Sequence, residues 1–312
     1  MTFWQRLAKN KKPFLVLAPM EDVTDVVFRQ VIEKIAPPDV FFTEFTNIEA
    51  ILHQETSRLV YKKTKIPTVA QIWGVNPESF YKVAQLISDM GFLGIDINMG
   101  CPQRPELKIG ACAALINNHT LVSEIIDAVK KGTKLPVSVK TRIGVKNIQT
   151  EEWIGFLLTQ KLDALTVHGR TVKEMSSVPA RWDEIKKVIK INTTSTVIVG
   201  NGDVKGVQDA SYRAQETGVD GVMIGRGVLE NPWCFSDHIS TREEKINLLK
   251  RHLELWQETW GDKKNFSVLK KYFKIYIRDF EGASEMRTKL MENKSIVETR
   301  SFFLISELKQ PR

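Results

Sequence analysis

Gly94-Ile95-Asp96-Ile97-Asn98-Met99-Gly100-Cys101-Pro102 reads as a strand over residues 94–99 that breaks into a tight, polar loop. Seven further β-rich runs are bounded by turn residues: 14–19, 40–45, 68–73, 137–141, 164–168, 196–199 and 221–224. Most are near-continuous apolar runs, as parallel strands buried on both faces require. Helical segments lie between them. Residues 24–35 follow the first run. Asn76-Pro77-Glu78 opens a helix through residues 80–90 with a capping residue, a first-turn proline and an acid. Residues 153–162, 182–190 and 204–217 supply later helices. Eight strand–helix units predict an α/β fold, a (β/α)8 TIM barrel over residues 1–240, in preference to a doubly wound sheet.

Past Asn231-Pro232 no strand-like run follows. Residues 245–260 and 267–280 both show helical spacing. In the second, Leu269, Phe273, Tyr276 and Phe280 share one side, and Lys270, Lys271, Lys274 and Arg278 lie largely opposite. Residues 241–312 are therefore predicted to form a small C-terminal all-helical domain. Their 16 basic and 11 acidic residues carry +5 of the net +8 in under a quarter of the chain. Such a balance suggests a polyanionic partner, although a solvated lysine-rich surface accounts for charge alone.

Composition narrows the class. Hydrophobic residues make up 42% and charged residues 26% of the 312, which excludes global disorder. No apolar run approaches the ~20 residues of a membrane span. Lys9, Lys11 and Lys12 before the apolar run 14–20 loosely mimic a signal peptide, but Glu21-Asp22 follows with no small-residue cleavage site. The three cysteines, Cys101, Cys112 and Cys234, make no disulfide framework, so a reducing, cytoplasmic setting is expected. They lack CxxC spacing and the five histidines are scattered, so no metal site is expected. A monomer is expected.

In a barrel the active site forms where strands end and loops begin. Those ends carry Pro19-Met20, Glu44, Gln71, Asn98 with Cys101, Lys140-Thr141-Arg142, His168-Gly169-Arg170-Thr171, Gly200-Asn201-Gly202-Asp203 and Gly225-Arg226-Gly227. Chemistry-bearing residues at nearly every end point to an enzyme. The last two loops are glycine-rich and suit a phosphate, with Arg226 as a clamp. Cys101, with an ordinary thiol pKa near ~8.5, would stay protonated at neutral pH and can serve as an acid. Cys112 and Cys234 lack a comparable polar setting and read as structural.

In order and spacing these motifs resemble the tRNA-dihydrouridine synthases, flavin-dependent reductases of uridine in tRNA. The resemblance spans almost the whole chain, and 94–102 is its most specific part. It implies an FMN-binding barrel joined to a helical tRNA-binding domain, with NADPH as reductant. Pro19 and Met20 would lie by the isoalloxazine ring. Gln71, Lys140 and His168 would meet the flavin's polar edge or ribityl chain, and Asn201, Gly202, Asp203, Gly225 and Arg226 its phosphate end. Asn98 and Arg142 would face the uracil, and Cys101 would be the proton donor. Hydride from flavin N5 to C6 of uracil leaves an enolate, and C5 then takes the thiol proton. Lys270, Lys271, Lys274 and Arg278 would grip tRNA phosphates, with Arg287 and Lys289 as further candidates. The chain departs from the family pattern at Cys112, where glycine is usual, and at Ser176 and Val178, where a tyrosine and a glycine often stand. Arg181 is expected near the cleft. Two other readings stand beside this one: a flavin barrel reducing a free pyrimidine or another small enone, and an RNA-binding protein on a retired barrel.

Overall fold

The computed structural model describes residues 1–11 and 13–308. Its centre is a ring of parallel strands: β1 (Phe14–Leu17), β2 (Phe41–Phe42), β3 (Thr68–Trp73), β4 (Gly94–Met99), β5 (Val137–Arg142), β6 (Ala164–His168), β7 (Val197–Asn201) and β8 (Gly221–Ile224). They pair in chain order from β2 to β8, and β8 pairs with β1. A parallel bridge between Val16 and Val40 closes the ring, with the Leu17 N–H donating to the Val40 carbonyl at 3.1 Å. A short strand, Thr46–Asn47, pairs with the end of β3. The fold is the expected (β/α)8 barrel, followed by a helical C-terminal region.

Alternate strand side chains point to opposite faces of the sheet, and this builds two cores. Phe14, Val16, Phe42, Val69, Ala164, Val199 and Met223 cluster apart from the larger core. Phe3 and Trp4, from a helix over Phe3–Asn10, join them. That helix is absent from the sequence reading, although its capping box is visible as Thr2 and Gln5. The alternate set, including Ala70, Ile72, Ile95, Ile97, Val139, Leu165 and Ile198, packs against the surrounding helices. Within one row, Gln71, Asp96 and Ser138 stand in register on β3, β4 and β5, so the inward set turns polar there.

The helix expected over 24–35 begins at Val26, because Asp25 caps it through the Phe28 N–H at 2.9 Å. The helix expected over 204–217 begins only at Val207. A further helix, His119–Gly132, was not anticipated; Asn118 caps it, and Val122, Ile125, Ile126 and Val129 form its buried stripe.

The C-terminal region holds helices Arg242–Thr259, Lys270–Tyr276, Ala283–Glu292 and Ile296–Leu308. The single helix expected over 267–280 is corrected to a 3-10 turn, Phe266–Leu269, and Lys270–Tyr276. The chain leaves helical geometry at Ile277 (φ −90°, ψ 78°), so Arg278 and Phe280 lie beyond it. Leu269, Phe273 and Tyr276 are buried as expected. This region rests on the loop after β1. Trp260 Nε1 donates to Asp25 at 2.9 Å, Tyr272 Oη donates to the Val23 carbonyl at 2.7 Å, and Lys271 Nζ reaches the Asp22 carbonyl.

Candidate active site

A cavity of about 550 Å³ opens at the C-terminal ends of the strands. Ten of the expected site residues line it: Pro19, Met20, Lys140, Arg142, His168, Asn201, Gly202, Asp203, Gly225 and Arg226. Strand register explains the convergence. Asn98 pairs with Lys140, Arg142 with His168, and His168 with Asn201.

Below this wall lies a chain of amides. Asp96 is fully buried and accepts from Gln71 Nε2 at 2.8 Å and Ser138 Oγ at 2.6 Å. Gln71 Oε1 accepts from Asn98 Nδ2 at 3.1 Å. Asn98 Oδ1 in turn accepts the N–H groups of Gly100 (3.0 Å) and Cys101 (2.9 Å). A carboxylate only accepts, so Asp96 sets the orientation of Gln71, and Gln71 that of Asn98. Asn98 thus holds the turn that carries Cys101. Burial pushes Asp96 up to about 6, against the donated hydrogen bonds that favour its charge.

The cavity is rich in cations. Burial, with Arg142 close by, lowers Lys140 to about 8. Burial and then the neighbouring cations press His168 well below the usual imidazole range, so its ring is neutral. Arg170 is buried; it donates to the Val178 carbonyl at 2.6 Å, lies 3.1 Å from His168 Nε2 and pairs with Asp203 at 2.5 Å. Arg226 meets the other oxygen of Asp203 at 3.0 Å. Burial alone would raise Asp203; the hydrogen bond from Arg170 and the partners that follow outweigh it and hold the carboxyl low. Lys140 Nζ donates to Asn201 Oδ1 at 3.2 Å, and Asn201 Nδ2 donates to the Met223 carbonyl at 2.9 Å.

Gly202 has φ +132°, and a Cβ there would lie 2.4 Å from the Ala180 Cβ and 3.2 Å from His168. A side chain at Gly225 would meet only Ala18 and Met20, at 3.6 and 4.0 Å, so it would occupy the cavity instead. Backbone can therefore approach a ligand closely on this side. Five cationic side chains, Lys140, Arg142, Arg170, Lys205 and Arg226, against the carboxylates of Asp203 and Glu230, fit an anionic ligand such as a flavin phosphate.

A family model described as dihydrouridine synthase matches residues 16–310. The chain belongs to the dihydrouridine synthase family. A probable tRNA-dihydrouridine synthase of Staphylococcus aureus (strain Mu50) is 42% identical over 96% of this chain and 94% of its own length. A Staphylococcus epidermidis relative with the same description is 43% identical, and a probable tRNA-dihydrouridine synthase 2 of Bacillus subtilis (strain 168) is 42% identical, both over the same shares. Among solved structures, a mandelate oxidase mutant with a C4a-OH-FMN adduct shows a slight likeness: TM-score 0.46, 13% identity, covering 92% of this chain and 77% of that one.

In this dihydrouridine synthase family member, Cys112, which the sequence reads as structural, is completely buried. It packs in one apolar cluster with Cys101 and Phe45. Its φ is +52°, a backbone conformation that favours glycine. Arg142 does more than face the cavity. Its Nε donates to the Gly100 carbonyl at 2.9 Å and its Nη1 to the carbonyls of Thr171 (3.2 Å) and Met175 (3.1 Å), tying the Cys101 turn to the loop after β6. In that loop Met175 and Ser176 line the cavity. Arg181 instead grips Glu174 through two 2.7 Å bonds, which draw Glu174 down to about 2.

The basic C-terminal residues do not share one face. Lys270 donates to the Met291 carbonyl at 2.7 Å, and Lys271 turns toward the barrel. Lys274 and Arg278 line a separate groove of about 1030 Å³ with Arg287. Arg170 was missed as a site residue; its motif position after His168-Gly169 was readable, its pairing with Asp203 was not.

Proposed function

We propose that this chain is an FMN-dependent tRNA-dihydrouridine synthase that reduces the C5=C6 bond of specific tRNA uridines, with NADPH as the reductant. The observation that carries the reading is the seating of Cys101. Asn98 and Arg142 hold its turn on the edge of a cavity rich in cationic side chains. In this reading Arg226, with the backbone of Gly202 and Gly225, takes the phosphate of FMN, while Lys140 and His168 face its polar edge and Pro19 and Met20 flank its ring. Arg170 and Asp203 keep Arg226 in place. When bound, FMN supplies the hydride. The remaining chemistry belongs to the side chains. Arg142 and Asn98 orient the uracil and favour negative charge on its carbonyl oxygen. Cys101 then gives its proton to C5: the S–H bond breaks, the C–H bond forms, and a thiolate remains.

The target base has to leave the RNA fold to reach this depth. The groove lined by Lys274, Arg278 and Arg287 supplies phosphate contacts for such a substrate. Free thiols at Cys101 and Cys112 suit a reducing cytoplasm. Replacing Cys101 by alanine tests the proton-donor role. Cys101→Ala is expected to bind flavin and accept electrons from NADPH normally, while single-turnover reduction of tRNA falls by about 10²- to 10⁴-fold. Undiminished reduction of tRNA by that variant contradicts the role.

A further inference from the structure

We propose that Lys271 and Tyr272 of the helical region are positioning residues for the flavin site: they hold the loop after β1 in the shape that presents Met20 to the cavity. The inference rests on the reading of that cavity as the flavin site. Met20 lines the cavity, and its Sδ lies 4.0 Å from where a Cβ on Gly225 would stand. The chain around it closes on itself. Thr24 Oγ1 accepts the Met20 N–H at 2.9 Å, and the Met20 carbonyl accepts the N–H groups of Val23 (3.1 Å) and Thr24 (3.0 Å). A turn this tight moves as one piece, so whatever fixes Asp22 or Val23 also fixes Met20.

Both are fixed from the helical region. Tyr272 Oη donates to the Val23 carbonyl at 2.7 Å, and Lys271 Nζ donates to the Asp22 carbonyl. From the barrel side the Asp22 N–H donates to Glu44 Oε1 at 2.6 Å, and Arg29 Nη1 donates to the Thr24 carbonyl at 2.5 Å. Packing aims the tyrosine. Its ring is buried, stacks on Phe28 with centroids 5.6 Å apart and lies 4.1 Å from the His252 ring. At the end of the loop, Asp25 takes Trp260 Nε1 at 2.9 Å and Lys264 Nζ at 3.4 Å. The loop is thus clamped between barrel and helical region. A loop already held in its bound shape spares a ligand the cost of ordering it. Without the two donors, that cost falls on the flavin. Lys271 also has one ammonium to give, and it is spent on the loop rather than on a phosphate.

The test uses the full chain, stripped of flavin and titrated with FMN, and needs no tRNA in its first arm. Tyr272→Phe keeps the packed ring and removes the O–H; Lys271→Met keeps the stem and removes the ammonium. Each is expected to weaken FMN binding by about 3- to 10-fold, as loss of one hydrogen bond predicts. Each is also expected to change the visible circular dichroism of the flavin at saturation. Lys271→Arg restores a donor and is expected to return both readouts toward wild type. Leu290→Ala serves as the structural comparison, because that side chain is buried in the helix Ala283–Glu292 and has no polar group to offer the loop. It is expected to lower the melting temperature and to leave FMN affinity and dichroism at wild-type values. In the second arm, the log–log salt slope of tRNA binding is expected to be unchanged in Lys271→Met. A slope lowered by about 1, with wild-type FMN binding, returns Lys271 to the phosphate contacts and overturns its assignment. Wild-type FMN affinity and dichroism in Tyr272→Phe and Lys271→Met, or the same changes in Leu290→Ala, overturn the proposal. Altered FMN binding in variants of a protein whose reduced flavin tRNA never oxidises upholds the clamp on the loop and overturns the uridine-reducing function instead.

Discussion

At the scale of single residues, the site works by crowding cations and then rationing their charge. Lys140, Arg142, Arg170 and Arg226 stand around one cavity, and His168 escapes the repulsion by staying neutral. Lys140 is the group closest to losing its charge, at about 8 against an ordinary 10.5. The sign of the consequence follows. Between those pH values the unfolded chain binds more protons than the folded one, so this residue adds stability as pH rises from about 8 toward 10.5 and adds none below about 8. Flavin binding moves the other way, because a neutral amine offers no charge to an anionic ligand. The affinity of the flavin-free protein for FMN, measured by fluorescence quenching, is expected to fall as pH rises through about 8 and to lose that dependence in Lys140→Met. The pairings behind these effects were only partly legible in the sequence. Cys101, Lys140, His168 and Arg226 are readable because each ends a strand-like run. The Arg170–Asp203 pair joins residues 33 positions apart, and Cys112 meets Cys101 through a 3-10 turn, Cys112–Asn117. No local spacing announces either contact.

At the scale of elements, the strands were legible because parallel strands buried on both faces leave short apolar runs between turns. Thr68–Trp73, Gly94–Met99, Ala164–His168 and Gly221–Ile224 match their runs to the residue. The helix His119–Gly132 was hidden because the apolar turn before it runs into it without a loop, separated only by Asn118. The break at Ile277 was hidden for another reason. Arg287, ten residues later, donates to the Ile277 carbonyl at 2.6 Å and satisfies a group that the ended helix leaves open. The N-terminal helix has a mechanical role: Trp4 packs against Phe14 and Phe42 in the smaller core. Trp4→Ala is expected to cost about 3–5 kcal/mol in urea unfolding, while the folded variant still binds flavin at the far ends of the strands. A change under ~1 kcal/mol contradicts that role.

At the scale of the molecule, the proposed function divides the work between a strand-end cavity for chemistry and a basic groove on the helical region for grip. If Lys274, Arg278 and Arg287 meet phosphates, tRNA affinity falls steeply with salt, and Lys274→Ala or Arg278→Ala each reduces the log–log salt slope by about 1. Lys270→Ala leaves the slope unchanged, since Lys270 lies outside the lining of that groove and its ammonium turns to the Met291 carbonyl. Equal slopes in all these variants contradict the groove as the docking surface. The most direct measurement of all is anaerobic: reduce the flavin-loaded protein, add an unmodified tRNA transcript, and follow flavin absorbance together with RNA mass. The prediction is stoichiometric flavin oxidation accompanied by a two-hydrogen mass gain at a uridine. A fully reducible flavin that tRNA leaves reduced, while a free pyrimidine or another small enone oxidises it, contradicts the assignment of tRNA as substrate.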